Sequence, residues 1–351
     1  MATLAQIATS AGVSEATVSR VLNDKPGVSD AARQAVLTAL DVLGYERPAK
    51  LRRRSAGLVG LVVPELVNPI FPAFAQVIED ALARRRFTPV LCTQAPGGIS
   101  EDEYVESLLD HGVAGIIFVS GRHADTTADH ERYRTLLDRG MPVVLVNGYA
   151  EGLAAPFVSV DDREAAELAV SHLVQLGHRR IGLATGPARY VPSARKRAGF
   201  VAALETHLGL SRKEAESWIA DSLFTVEGGA AATRQLAARG ATAVVCASDI
   251  MALGAIRGAR ELGLRVPEDF SVVGFDDSLL IAFVDPPLTT VRQPVAAMGA
   301  AAVSALVDAI SGQPVPAMEY MFRPELVLRS STGPAPLEQR PFRAAGRPAA
   351  R

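Results

Sequence analysis

The stretch VSEATVSRVLN, Val13 to Asn23, carries side chains that could meet a nucleic acid. On a helix turning about 100° per residue, Val18, Val21 and Leu22 share one side, while Ala16 and Arg20 share the opposite one. A helix laid in the major groove reads base edges, and an arginine pairs bidentately with guanine, a contact of about 1–3 kcal/mol in discrimination. Arg20 is therefore the candidate base contact, with Glu15, Thr17 and Ser19 around it. Glu15 has two readings: an acceptor for cytosine, or an acidic first-turn residue favoured by the helix dipole. Elsewhere, adjacent carboxylates stand at Asp161–Asp162 and Asp276–Asp277. Neighbours on a strand end point apart, whereas a hydrolytic pair must face each other across about 5–9.5 Å. The chain has no G-x-S-x-G, phosphate-binding glycine loop or H-E-x-x-H, so no catalytic residue is assigned and no enzyme is expected.

Short elements must hold the Arg20 helix. Thr3 with Gln6 is a capping-box pattern ahead of Leu4, Ile7 and Ala8, AGVS breaks that first helix, and Ser14 caps a second over about Glu15 to Leu22. NDKPGVSD reads as a loop, after which Ser29 caps a third helix with Ala32, Val36, Ala39, Leu40 and Leu43 at helical spacing, ended by Gly44. As caps, Ser14 and Ser29 either hold backbone amides near phosphate or simply cap. The linker ERPAKLRRRSAG follows, and from Leu58 the texture changes. The runs LVGLVV, TPVLCT, AGIIFVS, PVVLVN, RIGLAT, TAVVCAS and SVVGFDD alternate with amphipathic segments, which predicts parallel strands joined by crossover helices. The pattern occurs twice, over about 58–150 and 160–280, as two doubly wound lobes; the cleft at the carboxyl ends of their strands is the default ligand site.

Bulk properties agree with a DNA reader joined to a larger body. At 351 residues and 48% hydrophobic, the chain can bury a large core in two or three domains. Its net charge is −2, yet residues 1–56 hold eight Lys/Arg against five Asp/Glu, so the basic end is confined to a small polyanion-binding module. The apolar runs fall far short of the roughly 20 residues of a spanning helix, and MATLAQIATS lacks a basic start followed by an apolar block, so a cytoplasmic protein with no membrane partner is expected. Cys92 and Cys246 lie in strand-like runs and read as buried thiols, and no Cys/His cluster has metal-ligand spacing.

TLAQIATSAGVSEATVSRVLN resembles the helix-turn-helix of the lactose-repressor family, in which VSxxTVSRVLN is highly specific. The likeness extends to about Thr332 through GLVVPELVNPIFPAFAQVIE, LGHRRIGLATGP, CASDIMALGAIRGARELGLRVPEDFSVVGFDD and PPLTTVRQPVAAMG. It implies an N-terminal all-α helix-turn-helix domain (1–46), a hinge (47–57) and a periplasmic-binding-protein-like α/β core (58–330) for effector binding and dimerisation. The N-lobe would take about 58–158 plus 287–318 and the C-lobe about 159–286 plus 319–330, with 331–351, rich in Pro, Ala and Arg, a disordered tail. It places Glu15 and Ala16 at the two operator-selecting positions and Arg20 on a guanine. In the family the linker forms a hinge helix whose leucine wedges into the minor groove at the dyad; counting back from Gly60 puts Leu51 there. The stretch from Gly44 to Leu51 is shorter than in the lactose and purine repressors, and Pro48 can start a helix but not lie deep in one. Lys50, Arg52, Arg53 and Arg54 are phosphate contacts, or a solvated basic linker.

For the core, the resemblance implies a small-molecule effector. Asp276, the first aspartate of GFDD, matches a ligand-hydrogen-bonding aspartate; Ser248 and Asp249 of ASD lie at a strand end; Phe224 matches an aromatic against the ligand; Ile70 and Phe71 of NPIF line the opposite lobe. Asn147 stands where the family often has aspartate, which favours an uncharged ligand. SARKRAGF supplies a basic contact: alignment on Gly199-Phe200 gives Lys196, chemistry gives Arg195, and both are carried. Asp249 also reads as the cap of the IMALGAI helix, Phe71 as core, and Asp277 as a helix-start or lobe-surface residue. Carboxylates and amides that grip hydroxyl pairs, with an aromatic against the ring, suit a sugar; GYERPAKLR, VLCTQ, LLDHGVAGIIFVSG and MFRPELVLRSSTG resemble maltose-operon repressors and point to maltose or another α-glucoside. Met251, Leu253, Ile256 and Leu262 lie on a helix that in the family helps form a dimer interface, and a homodimer on a pseudo-palindromic double-stranded operator is expected. No cofactor or metal is expected. A purine effector on the same fold is one alternative; a sugar-binding protein without gene regulation is another, but it would need a secretion signal and no Ser14–Arg20 helix.

Overall fold

The computed structural model describes residues 3–23, 25–45, 55–94 and 97–336, and the chain divides into two units, one ending at Ala56 and the other beginning at Gly57. In the first unit α1 (Leu4–Ala11), α2 (Glu15–Leu22) and α3 (Asp30–Val42) close around Ile7, Val18, Val21, Val36, Ala39 and Leu40. A core this small leaves the boundaries to local signals. Thr3 and Gln6 exchange the two bonds of a capping box. Gly12 ends α1 at φ 64, a left-handed conformation that favours glycine. The Ser14 and Ser29 hydroxyls accept the N–H groups of Thr17 and Ala32, each at 3.2 Å.

The second unit holds two six-stranded sheets. The first is built from β1 (Gly57–Val63), β2 (Phe87–Thr93), β3 (Gly115–Val119), β4 (Val143–Val146), β5 (Phe157–Val160) and β11 (Glu319–Phe322), in the order β11-β5-β4-β3-β1-β2 and parallel throughout. Helices α4 (Ile70–Arg84), α5 (Glu101–Asp110), α6 (Glu131–Asp138) and α12 (Val295–Ile310) belong to it. The second combines β6 (Ile181–Thr185), β7 (Ile219–Asp221), β8 (Ala243–Cys246), β9 (Ser271–Asp276), β10 (Thr289–Arg292) and β12 (Glu325–Val327) as β12-β10-β9-β8-β6-β7, with only β12 antiparallel. It carries α7 (Asp162–Gln175), α8 (Val191–Leu208), α9 (Arg212–Glu216), α10 (Val226–Ala238) and α11 (Asp249–Glu261). The central strands β3, β4, β6, β8 and β9 are buried along their whole length, which is why they read as continuous apolar runs and not as alternating ones.

Strand pairing corrects the expected lobe boundaries. Ser159 and Val160 continue β5 in the first lobe, and Gly57, expected in the hinge, opens β1. Thr289–Arg292, expected in the N-lobe, pairs with β9 in the C-lobe, while Glu319–Phe322, expected in the C-lobe, pairs with β5 in the N-lobe. The chain therefore crosses between lobes after β5, after β10 and after β11. The expected disordered tail is corrected too, as far as the described residues reach. Ser331 is fully buried, its hydroxyl donating to the Val272 carbonyl at 2.6 Å and accepting the Thr289 N–H at 2.8 Å, and the Ala335 N–H donates to Leu176 at 2.8 Å. Residues 337–351 lie outside the described residues.

Helix α11, whose first turn begins just past β8, is seated on α10 by glycines. A Cβ at Gly229 would stand 2.0 Å from the Met251 carbonyl oxygen, and one at Gly254 would stand 1.9 Å from that of Val226. Both obstacles are backbone, so neither can swing aside. Met251 and Ile256, on the helix expected to help form a dimer interface, are buried in the C-lobe core, and Leu253 and Leu262 are half-buried; the first two are spent on the fold. Gly254→Ala should therefore lower stability by about 2 kcal/mol or more in urea unfolding. A variant as stable as the parent would contradict this packing.

Candidate functional site

In the first unit, the valines of α2 fix which side faces outward. Val18 and Val21 are buried, Glu15, Ala16 and Arg20 are exposed, and Thr17 and Ser19 are half-buried, so the helical wheel is reproduced. Thr17 Oγ1 and Ser14 Oγ share a hydrogen bond of 2.9 Å, and Asn23 Nδ2 donates to the Ser19 carbonyl at 2.9 Å, which pins both ends of the helix. Thr3, Ser14 and Ser29 are exposed and act as caps. Lys50, Leu51 and Arg52 lie outside the described residues.

In the second unit the carboxyl ends of the two sheets face each other. The Thr126 N–H and hydroxyl both donate to the Arg189 carbonyl at 2.9 Å, and Arg189 Nε donates to Asp125 at 3.0 Å; one loop follows β3, the other β6. The same unit holds a buried polar cluster drawn from α7, α8, α11, β9 and β10. Lys196 on α8 sets its ammonium against the Asp162 carboxylate and 3.6 Å above the centre of the Phe275 ring. Asp276 ends β9 at φ 119 and accepts from Gln293 Nε2 at 2.6 Å. Asp249 accepts from Thr290 Oγ1 at 2.6 Å and from the Ser278 N–H at 2.7 Å. Ser248, not Asp249, caps α11, accepting the Met251 N–H at 3.4 Å; that frees the Asp249 carboxylate for the cluster.

Burial dominates the electrostatics. It pushes the Asp249 carboxyl up to about 6, against the opposing hydrogen bonds from Ser278 and Thr290. Asp276 is pushed well above the usual carboxylate range by burial and then by the charge of Asp249, with Lys196 and Gln293 pulling the other way. Asp162 is raised by burial while Lys196 pulls it back. Crowded acids around one ammonium resist taking up a further charge and can still exchange hydrogen bonds with a neutral, hydroxyl-rich ligand.

The two basic candidates separate. Arg195, one residue and about 100° around the helix from Lys196, reaches the other lobe, where Glu319 holds its guanidinium bidentately at 2.7 and 2.8 Å. Phe224 lies half-buried with its ring over Gly186, where a Cβ would stand 2.1 Å from the ring, and 6.4 Å from the Tyr190 ring centre. Ile70 and Phe71 open α4 on the opposite lobe; Ile70 is in the core and Phe71 packs against it. Asn147, at the end of β4, is 9% exposed with φ 62, and its Oδ1 has no partner among the described residues. Thr185 Oγ1, Ser193 Oγ and Gln293 Oε1 are also buried and unpartnered. Those three escaped the sequence reading, although each stands just at or beyond the carboxyl end of a strand or in the first turn of the following helix, where ligands of such sheets bind. Asp277, read as a helix-start or lobe-surface residue, is held by Arg292 and Arg329 at 2.7 and 2.6 Å. Among the described residues no group of His, Cys, Asp and Glu could hold a metal ion, and no helix is long and apolar enough to cross a membrane.

Residues 3–48 match the family described as bacterial regulatory proteins, lacI family, and residues 170–332 match a periplasmic binding protein-like domain. The HTH-type transcriptional regulator MalR of Streptomyces coelicolor is 64% identical over 337 residues, which cover 96% of this chain and 98% of MalR. Among solved structures, the chain is similar to a transcriptional regulator CelR in complex with cellobiose, at 33% identity and a TM-score of 0.69 over 94% of this chain and 100% of that one. It is likewise similar to the lac repressor dimer bound to operator and the anti-inducer ONPF, at 27% identity and a TM-score of 0.68 over 95% and 99%. Sequence, fold and relatives agree: this chain belongs to the lacI family of bacterial transcriptional regulators and is a DNA-binding regulator, not an enzyme.

Proposed function

We propose that this regulator represses carbohydrate-utilisation genes in the cytoplasm, binding a pseudo-palindromic operator as a homodimer, and that a neutral sugar held between its lobes changes operator affinity. The observation that carries the sugar reading is the cleft wall itself. Buried acids at Asp276 and Asp249, the amine of Lys196, and unpartnered amide and hydroxyl oxygens at Asn147, Thr185, Ser193 and Gln293 all stand at or just beyond the carboxyl ends of strands or in the first two turns of a following helix, with the Phe224 ring over Gly186. A sugar offers alternating hydroxyl donors and acceptors with an apolar ring face, which is the complement of that wall. The likeness to a regulator in complex with cellobiose supports a disaccharide, and the resemblance to maltose-operon repressors makes maltose or a related α-glucoside the first candidate. Arg195 enters this reading as a cross-lobe brace and Lys196 as the ligand-side cation.

On the DNA side, Arg20 reads guanine, Glu15 and Ala16 select neighbouring bases, and Thr3, Ser14, Thr17, Ser19 and Ser29 approach phosphates. Lys50 and Arg52 add phosphate contacts, and Leu51 is the minor-groove wedge. Two symmetric half-sites multiply the weak affinity of a single module, hence the homodimer; the operator-bound lac repressor dimer supports that state.

Two substitutions test the halves separately. In fluorescence anisotropy at fixed salt on a duplex from the protein's own upstream region, Arg20→Ala should weaken specific binding about 5- to 150-fold while leaving nonspecific binding nearly intact. Unchanged specific affinity would remove Arg20 from the interface. Asp276→Asn keeps the shape of the site and exchanges one of its acid oxygens for an amide NH2; calorimetric titration should show maltose affinity lower by about tenfold or more. Equal affinity would take Asp276 out of the ligand site.

A further inference from the structure

We infer that His123 is a positioning residue for the effector: it locks the peptide before Asn147, and so aims the Asn147 carboxamide into the cleft. This rests on the reading of Asn147 as an effector contact. Asn147 and Ser120 are both non-glycine residues with positive φ, 62 and 48, and they follow adjacent strands, β4 and β3. Left-handed backbone at such residues costs free energy and persists only where the surroundings impose it.

Four contacts impose it. The Val146 carbonyl accepts two donors, the Ser120 N–H at 2.8 Å and His123 Nε2 at 3.1 Å. The Asn147 N–H donates to the Val158 carbonyl at 2.9 Å. Gly148 lies so close to the same turn that a Cβ there would stand 2.6 Å from Ala124 Cβ. A carbonyl can only accept, so Nε2 must carry the proton of a neutral ring, and Nδ1 is left as a bare acceptor. Nδ1 is the buried imidazole atom without a partner among the described residues. Complete burial holds this ring neutral, pushing it down to about 3, with the neighbouring His130 adding a smaller push in the same direction.

The backbone that carries the ring is itself fixed from behind. The His123 N–H donates to the Tyr133 hydroxyl at 3.0 Å, and that hydroxyl donates to the buried Glu101 carboxylate. Glu101 also receives the Arg122 N–H at 3.1 Å and Gln94 Nε2 at 3.4 Å, and Arg132 lies 3.5 Å away. The Tyr133 ring stands edge-on to the imidazole at 5.7 Å between centres. Burying an imidazole whose Nδ1 has no partner among the described residues costs free energy that an apolar side chain would not. A residue kept only for packing could be apolar at that place and avoid it; a donor from Nε2 to Val146 could not.

The experiment is a double-mutant cycle on the full chain, with maltose affinity read by titration calorimetry. Asn147→Ala should weaken maltose binding about tenfold, the worth of one good hydrogen bond. His123→Leu should weaken it by a similar factor. The double variant should bind within about twofold of Asn147→Ala, because a positioning residue has no effect once the group it positions is gone. Multiplying losses, or a His123→Leu protein that binds like the parent, would overturn the inference. If the leucine variant does not fold, His123→Gln, which keeps an amide donor in a different direction, enters the same cycle with the same criteria. Failure of the underlying reading has its own signature: maltose binding that is absent in the parent, or unmoved by Asn147→Ala, removes Asn147 as a sugar contact, and the inference falls with it.

Discussion

Lys196 brings its ammonium almost wholly out of water, against the Asp162 carboxylate and over the Phe275 ring. An ion moved into a protein interior costs several kcal/mol unless a partner is held in good geometry, so the surrounding elements are not free to drift. Asp162 opens α7 directly after the first crossover between lobes, and α7 must therefore lie tight on α8. Gly199 permits it: a Cβ there would stand 2.5 Å from the Arg163 carbonyl oxygen. The glycine lies about one helical turn from Lys196, and Arg163 is the neighbour of Asp162, so the close approach and the ion pair depend on each other.

The same cluster reaches the remaining crossovers. Gln293, which donates to Asp276, opens the segment leading from β10 into α12, and the Phe322 carbonyl at the end of β11 accepts the Asp161 N–H at 2.8 Å. Residues through which the lobes are joined, Gln293 and Asp161, are thus bonded or adjacent to Asp276 and Asp162 of the buried cluster. A ligand that alters hydrogen bonding at Asp276 acts on groups that also set how the lobes close, which is what allosteric coupling requires: a differential contact between two arrangements of one molecule.

Much of this was legible in the sequence where the physics is local. Caps are set by residues three apart, so Thr3–Gln6, Ser14 and Ser29 gave the three helices of the first unit, and the apolar face of α2 placed Arg20 outward. Buried parallel strands declare themselves as apolar runs, so the two lobes were visible as well. What stayed hidden depends on distant partners. Arg195 and Lys196 are neighbours that sequence cannot separate, and only Glu319 and Asp162 tell them apart. The strand Glu319–Phe322 looks like its neighbours but pairs with Phe157–Val160. Ser331 stands in a stretch of low-complexity composition and is ordered by Val272 and Thr289. His123 has no local signal at all, since its meaning comes from Val146.

In the proposed function one molecule joins operator recognition to the binding of a neutral sugar. The most direct measurement is to assemble the full-length protein on labelled DNA from its own upstream region, with excess nonspecific competitor at fixed salt, and titrate maltose into the complex while following anisotropy. Maltose should produce a saturable shift in operator affinity of about 5- to 150-fold, the range of ordinary allosteric coupling, with no comparable shift from a charged nucleotide. A specific complex that no neutral sugar moves would contradict it.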